Sequence, residues 1–223
     1  MKSNLWNTNL AKGDIQELKK VNLHRLLQVD AYQNTVIQFH LNWAISDTGK
    51  VNLDFIKYAV EKRVNIHNVN SDGFTALCQA VRFSDTFFYL VEMGANINYI
   101  NPLSDISVFH YSIAIRNKKV TRYLLKNADN VFYINKRKFN AFYWAVKKKH
   151  LVNEIINSAN IKKEKILTTS LFELDYDEYI SNYIEGIIEN IKITKDFKYI
   201  KYIKNAENYF DLPLVKASKI DLY

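Results

Sequence analysis

Two short phrases return along this chain at nearly the same interval, and that period constrains the fold more than any other feature. The quartets "LNWA", "LCQA", "YSIA" and "FYWA" end at Ala44, Ala80, Ala114 and Ala145, so their alanines are 36, 34 and 31 residues apart. A second phrase appears as "VNIH" from Val64, "ANIN" from Ala95, "ADNV" from Ala128 and "ANI" from Ala159, in steps of 31, 33 and 31 residues. Two phrases in step define a repeating unit. Between them lie "FIKYAVEK", "FFYLVEMG" and "VTRYLLKN", with apolar residues at i, i+3 and i+4, the mark of a helix with one buried stripe. Each unit reads as turn, helix, tight connection, helix and polar hinge. A single pair of this size cannot bury its own apolar faces, so the units have to stack.

The clearest copy is "SDGFTALCQAV", residues 71–81. Gly73 punctuates a turn, Thr75 stands where a helix begins, and Leu77, Ala80 and Val81 share a helical face. This stretch resembles the T-P-L-H-x-A phrase of ankyrin repeats, with Ala76 at the Pro position and Cys78 at the His position. "EMGANIN" is similar to that family's closing phrase, with Gly94 as a helix C-cap. In the looser copies Phe109 and Asn140 take the place of the Thr, no copy has the Pro, and residues 46–52 read as a short insertion. Upstream, "NLAKGDIQELKK" resembles an end unit with Gly13 between its helices.

The resemblance implies an all-α ankyrin-repeat solenoid of stacked helix-turn-helix units with short hairpin-like loops. Residues 1–161 form the array, about four repeats with an N-terminal cap. Residues 162–223 are a helical C-terminal cap or degenerate repeats continuing the same solenoid. There "YISNYIEGIIENIKI" puts Ile180, Ile184, Ile187, Ile188 and Ile191 on one face, "DFKYIKYIKNAENYF" follows as a second helix, and "LPLVKA" is similar to the repeat phrase.

Chemistry finds little footing. Five His are scattered without a close metal pair, and the single Cys78 excludes an internal disulfide or a multi-cysteine metal site. His40 and His110 are read as sharing one repeat position with a structural role, and Cys78 as a packing residue. With five Gly in all, no phosphate-binding loop or nucleophile elbow occurs. The acidic run "FELDYDEY" (172–179) lacks a calcium-loop glycine and reads as a solvated helix start. Trp43 and Trp144 are assigned to the core. No cofactor, metal or catalytic set is expected. No apolar run is long enough for a membrane span or signal peptide, so a monomeric cytoplasmic protein is expected.

In the ankyrin family, variable contacts come from hairpin tips and from residues just after the first helix. By position, the resemblance assigns partner binding to Asp72, Phe74, Arg82 and Phe83 in one unit, with Ser71 beside them. The next unit supplies Asp105, Ile106, Val108, Arg116 and Asn117, and the "FYWA" unit Lys136, Arg137, Phe139, Lys147 and Lys148. Aromatic and arginine side chains anchor interfaces. The net charge of +8 and the basic gradient toward the later units favour a protein partner with an acidic patch. The expected function is a non-catalytic scaffold that binds a folded protein and inhibits it by occlusion. The 25 Lys, 25 Asn and 24 Ile suit a microbial or viral immunity protein or anti-host factor. The alternative is nucleic-acid binding through the basic 136–149 and 192–204 segments, with affinity falling steeply in salt. An enzyme with its chemistry in the 162–223 tail is the third reading.

Overall fold

A computed structural model describes residues 5–137, 140–148, 150–162 and 191–195. The chain divides into two compact units, Met1–Asp129 and Asn130–Tyr223. Most of the described structure is helical. The first unit holds α1 (Thr8–Ala11), α2 (Ile15–Lys20), α3 (Leu23–Leu26), α4 (Val36–Trp43), α5 (Leu53–Glu61), α6 (Ala76–Ala80), α7 (Ser84–Glu92), α8 (Val108–Ile115) and α9 (Lys118–Asn127). Its one described ribbon pairs β1 (Ile100–Asn101) antiparallel with β2 (Ile106–Ser107). The second unit holds α10 (Ala141–Lys148) and α11 (Val152–Lys162). Residues 191–194 are helical, with Ile191 buried, whereas the rest of the expected tail helices, "LPLVKA" and the acidic run lie outside the described residues.

Short polar side chains decide where these helices start. The hydroxyls of Thr35, Thr75 and Ser107 accept from the backbone N–H three residues on, at Gln38, Cys78 and His110, each at 3.3 Å. In the second unit the Asn140 carboxamide oxygen does the same for Tyr143 at 3.0 Å. Each satisfies one N–H that has no partner within the helix. Gly94, at φ +87°, follows the last turn of α7 in the left-handed region, as a C-terminal glycine should.

These caps correct the register inferred from the alanines. Counting five residues from the cap reaches Ala80 and Ala145, but His40 and Ser112 in the other two cases. Ala44 and Ala114 lie farther along, and His40 and His110 do not share a position: one is fifth after its cap, the other third. The capping hydroxyl sets the helix start, whereas smallness is needed only where two helices approach. Ala44 instead opens a π-helical turn, Ala44–Thr48, closed by the Gly49 N–H on the Ala44 carbonyl at 2.8 Å. Residues 46–48 of the segment read as an insertion thus lie in this wider turn at the end of α4.

Within the first unit, α1 packs on α4, α4 on α6 and α6 on α8, while α2 packs on α5, α5 on α7 and α7 on α9. The core between them holds Ile37, Leu41, Phe55, Leu77, Phe87, Phe109, Ile113 and Leu124, each 1% exposed or less. The three amphipathic segments form α5, α7 and α9 as expected. In the second unit α10 packs on α11 over Phe142, Ala145, Ile155 and Ala159. Trp43 and Trp144, expected in the core, are only half-buried.

Turns precede α4, α6 and α8, and a buried Asp or Asn sits in each. The Asp30 carboxylate accepts from the Tyr32 and Asn34 N–H groups, both at 2.8 Å. The Asn70 oxygen accepts from Asp72 and Phe74, and the Asn101 oxygen from Leu103 and Ser104. Gly73 makes the second turn possible: its φ is +76°, and a Cβ there would lie 2.3 Å from the Asn101 Oδ1. Gly49 has a similar φ of +64° but open space around it. Gly49→Ala should cost about 1 kcal/mol from backbone strain alone, and Gly73→Ala about 3 kcal/mol or more. Urea unfolding of the two variants measures the difference; equal losses would contradict the close Gly73–Asn101 approach.

Candidate functional site

The turns of the first unit are tied edge to edge. The Ser71 N–H donates to the Tyr32 carbonyl at 2.9 Å, and the Asn70 amide donates to Asn34 Oδ1 at 2.9 Å. On the other side, the Asn101 amide donates to the Asp72 carbonyl at 3.0 Å and the Tyr99 hydroxyl to the Gly73 carbonyl at 2.7 Å. With the backbone so committed, the side chains at the tips project into solvent. Tyr32 is 70% exposed, Leu103 69% and Val69 41%. Just inside the tips, the Phe74 ring meets Tyr111 of α8 at 5.2 Å between centroids, and Tyr111 shares a hydrogen bond with the Ser104 hydroxyl.

The expected contact residues divide against this frame. Asp72, Arg82 and Arg116 are exposed; Phe74, Phe83, Asp105 and Ile106 are half-buried. Arg116 (φ +61°) ends α8 and Asp105 (φ +57°) ends the ribbon turn, so both occupy strained backbone at the surface. Val108 is a correction: it opens α8 at 0% exposure and belongs to the core. Asn117 is another. Its oxygen caps α9 at the Val120 N–H, and its amide donates to the Val81 carbonyl at 2.8 Å and to the Ser84 hydroxyl, so the side chain is spent inside the fold. In the second unit Lys136 and Arg137 are exposed and Lys148 is half-buried. Phe139 and the Lys147 side chain lie outside the described residues.

His40, His110 and Cys78 serve the architecture. His40 donates from Nδ1 to the Ala11 carbonyl at 2.7 Å and accepts at Nε2 from the Asn52 N–H at 3.0 Å, which makes it a neutral imidazole of one tautomer. Its ring lies against Gly13, where a Cβ would come within 2.5 Å of it, and against the Phe55 ring. His110 meets the Ser107 hydroxyl at 2.7 Å. Burial lowers the pKa of His40 against the opposing pull of the Ala11 carbonyl, and lowers that of His110 to about 4. Cys78 is buried, its sulfur accepts from the Thr75 hydroxyl, and burial pushes its thiol up, away from nucleophilic reactivity. Among the described residues no three His, Cys, Asp or Glu gather as metal ligands, and no helix is long and apolar enough to cross a membrane.

Between α5, α7 and α9 runs an open groove of about 520 Å³, lined by Leu53, Lys57, Asp85, Phe88, Tyr89, Glu92 and Lys119. The Lys119 ammonium lies over the Phe88 ring at 5.1 Å and near Asp85 at 3.8 Å. The signal was the doubled aromatic of "FFYL": Phe87 fills the core, which turns Phe88 outward.

No family model matches the chain, and no curated protein matches it significantly.

The two lowered histidine pKa values carry a sign. The unfolded chain takes up protons below pH 6.5 where the folded one resists, so folding stability is whole above that pH. It falls as pH drops from 6.5 toward 4, where His110 protonates in the fold. His40→Gln, which keeps a donor and an acceptor, should flatten this slope relative to wild type in urea melts at stepped pH. An unchanged slope would place the acid sensitivity elsewhere.

Proposed function

We propose that this chain is a non-catalytic protein-binding scaffold, a divergent ankyrin-type solenoid that covers part of a folded partner. The observation that carries this reading is the set of cross-turn hydrogen bonds between residues about one unit apart in sequence. The Asn52 and Asn117 amides add to it, each donating back to a carbonyl at an earlier helix junction, Gly13 and Val81. Such bonds prearrange a surface before it binds, which lowers the ordering cost of association. The surface so held carries exposed Tyr32 and Leu103 at the tips and Arg82 and Arg116 at the ends of α6 and α8. Tyrosine and arginine are among the usual anchors of interfaces, and Leu103 adds exposed apolar area beside them.

Occlusion of a partner's active site is the mechanism this geometry best suits, since a rigid edge can block without chemistry. The role of an immunity protein or anti-host factor in the cytoplasm follows as the narrower form of the proposal. The test is capture by the immobilised chain from a lysate of its source, followed by affinity measurement on the captured protein. Arg82→Glu with Arg116→Glu, and separately Leu103→Asp, should each weaken that affinity about tenfold or more while circular dichroism stays native. Unchanged affinity in both variants would overturn the surface assignment.

A further inference from the structure

His40 stands at a junction of four elements near the start of the first unit. Its Nδ1–H donates to the Ala11 carbonyl at the end of α1, and its Nε2 accepts from the Asn52 N–H just before α5. Asn52 is committed twice more. Its carboxamide oxygen caps α5 at the Asp54 and Phe55 N–H groups, and its amide donates at 2.8 Å to the Gly13 carbonyl, between α1 and α2. One ring on α4 thus joins the end of α1, the link to α2 and the start of α5.

The directions of these bonds make the junction conditional. A neutral imidazole offers one donor and one acceptor, an imidazolium two donors. The Ala11 carbonyl accepts in either state, but the Asn52 N–H is a backbone donor and cannot reverse. A proton on Nε2 therefore sets two donors against each other. The ring has little room to turn aside: it is 1% exposed, a Cβ on Gly13 would lie 2.5 Å from it, and the Phe55 ring centroid is 4.8 Å away. Relief comes from moving the backbone at Asn52, which also breaks the amide bond to Gly13. His110 differs, because the Ser107 hydroxyl it meets can turn from donor to acceptor when the ring is charged.

The surrounding elements supply no counter-ion. The Asp14 carboxylate caps α2 at the Gln16 and Glu17 N–H groups, Glu17 pairs with Lys20, and Asp54 lies 3.9 Å from Lys57. Lys12, Lys19, Asp47, Lys50 and Glu61 are exposed, and Lys62 lies over the Tyr58 ring. α1 and α4 hold no other titratable side chain, and α6 holds only Cys78, bonded to Thr75. Burial lowers the His40 pKa, and what opposes it is the Ala11 carbonyl, not a carboxylate.

We propose that His40 is an acid-operated latch, whatever the chain binds: protonation of Nε2 frees Asn52 and releases the α1–α2 pair from α4 and α5 while the later helices of the unit stay packed. Release uncovers the sides of α4 and α5 on which α1 and α2 pack, and with them the buried Leu10 and Leu18 of the pair.

Native-state hydrogen exchange on the full chain, corrected for the intrinsic pH dependence of exchange, tests this at stepped pH from about 6.5 to about 5. The opening constant read at the Leu18 and Asn52 amides should rise about tenfold over that range, as uptake of one proton requires, and should stay flat in His40→Gln. The Val120 and Leu124 amides of α9 should keep their rise in the variant, since His110 is untouched. A rise at Leu18 that survives in His40→Gln and matches that at Leu124 would show that the pair opens only with the whole unit, and would overturn the proposal. If His40→Gln does not fold, the wild type decides. The His40 ring nitrogens and the Trp6 indole N–H, which donates to the Asn34 carbonyl on the segment leading into α4, should then titrate with one midpoint. A Trp6 signal unmoved while His40 protonates would equally overturn it.

Discussion

A turn whose base packs against its neighbours must pair the N–H groups that face inward, because each buried one left unpaired costs about 1–3 kcal/mol. In this protein Asp30, Asn70 and Asn101 meet that demand. Each is 5% exposed or less, and each accepts two N–H groups from the residues that follow it. The two asparagines go further. Their amide nitrogens reach back to the preceding turn, at Asn34 and at the Asp72 carbonyl, so the group that closes one turn also sets its distance from the last. Helix starts at Thr35, Thr75 and Ser107 follow within a few residues, and the order of helix packing follows from them. Of these three turns the aspartate closes the first, whose side chain donates to no other turn.

The N-terminal helix pair is held by a different device with the same logic. Gly13 leaves room for the His40 ring, and that ring spans the Ala11 carbonyl and the Asn52 N–H while the Asn52 amide grips the Gly13 carbonyl. Every polar atom of this cluster named above is paired, and two of them belong to one titratable ring. This junction is thus sensitive to acid, as is the start of α8, where buried His110 meets the Ser107 hydroxyl.

Much of this was legible in the residues. Helical stripes in α5, α7 and α9 were visible because apolar spacing survives divergence, and Gly73, Thr75, Gly13 and Gly94 announced their turns and caps through backbone chemistry that few other residues supply. The alanine ladder misled at Ala44 and Ala114, since a small side chain marks close approach and not the start of a helix. Val108 was misread for the same reason: Ser107, not Phe109, begins α8, which rotates Val108 into the core. Asn117 looked like a surface residue because its partners, Val81 and Ser84, are more than thirty positions away.

The account stands or falls on whether neighbouring turns behave as one coupled edge. Native-state hydrogen exchange on Asn70→Ala reads this directly. Loss of the side chain removes the acceptor for Asp72 and Phe74, so those two amides should exchange faster whatever the architecture. If the turns are coupled, Tyr32, Asn34 and Ser71 should accelerate with them, by about tenfold, because the bond to Asn34 and the seat of Ser71 on Tyr32 are lost together. Acceleration confined to Asp72 and Phe74 would show turns that close independently and would contradict the account.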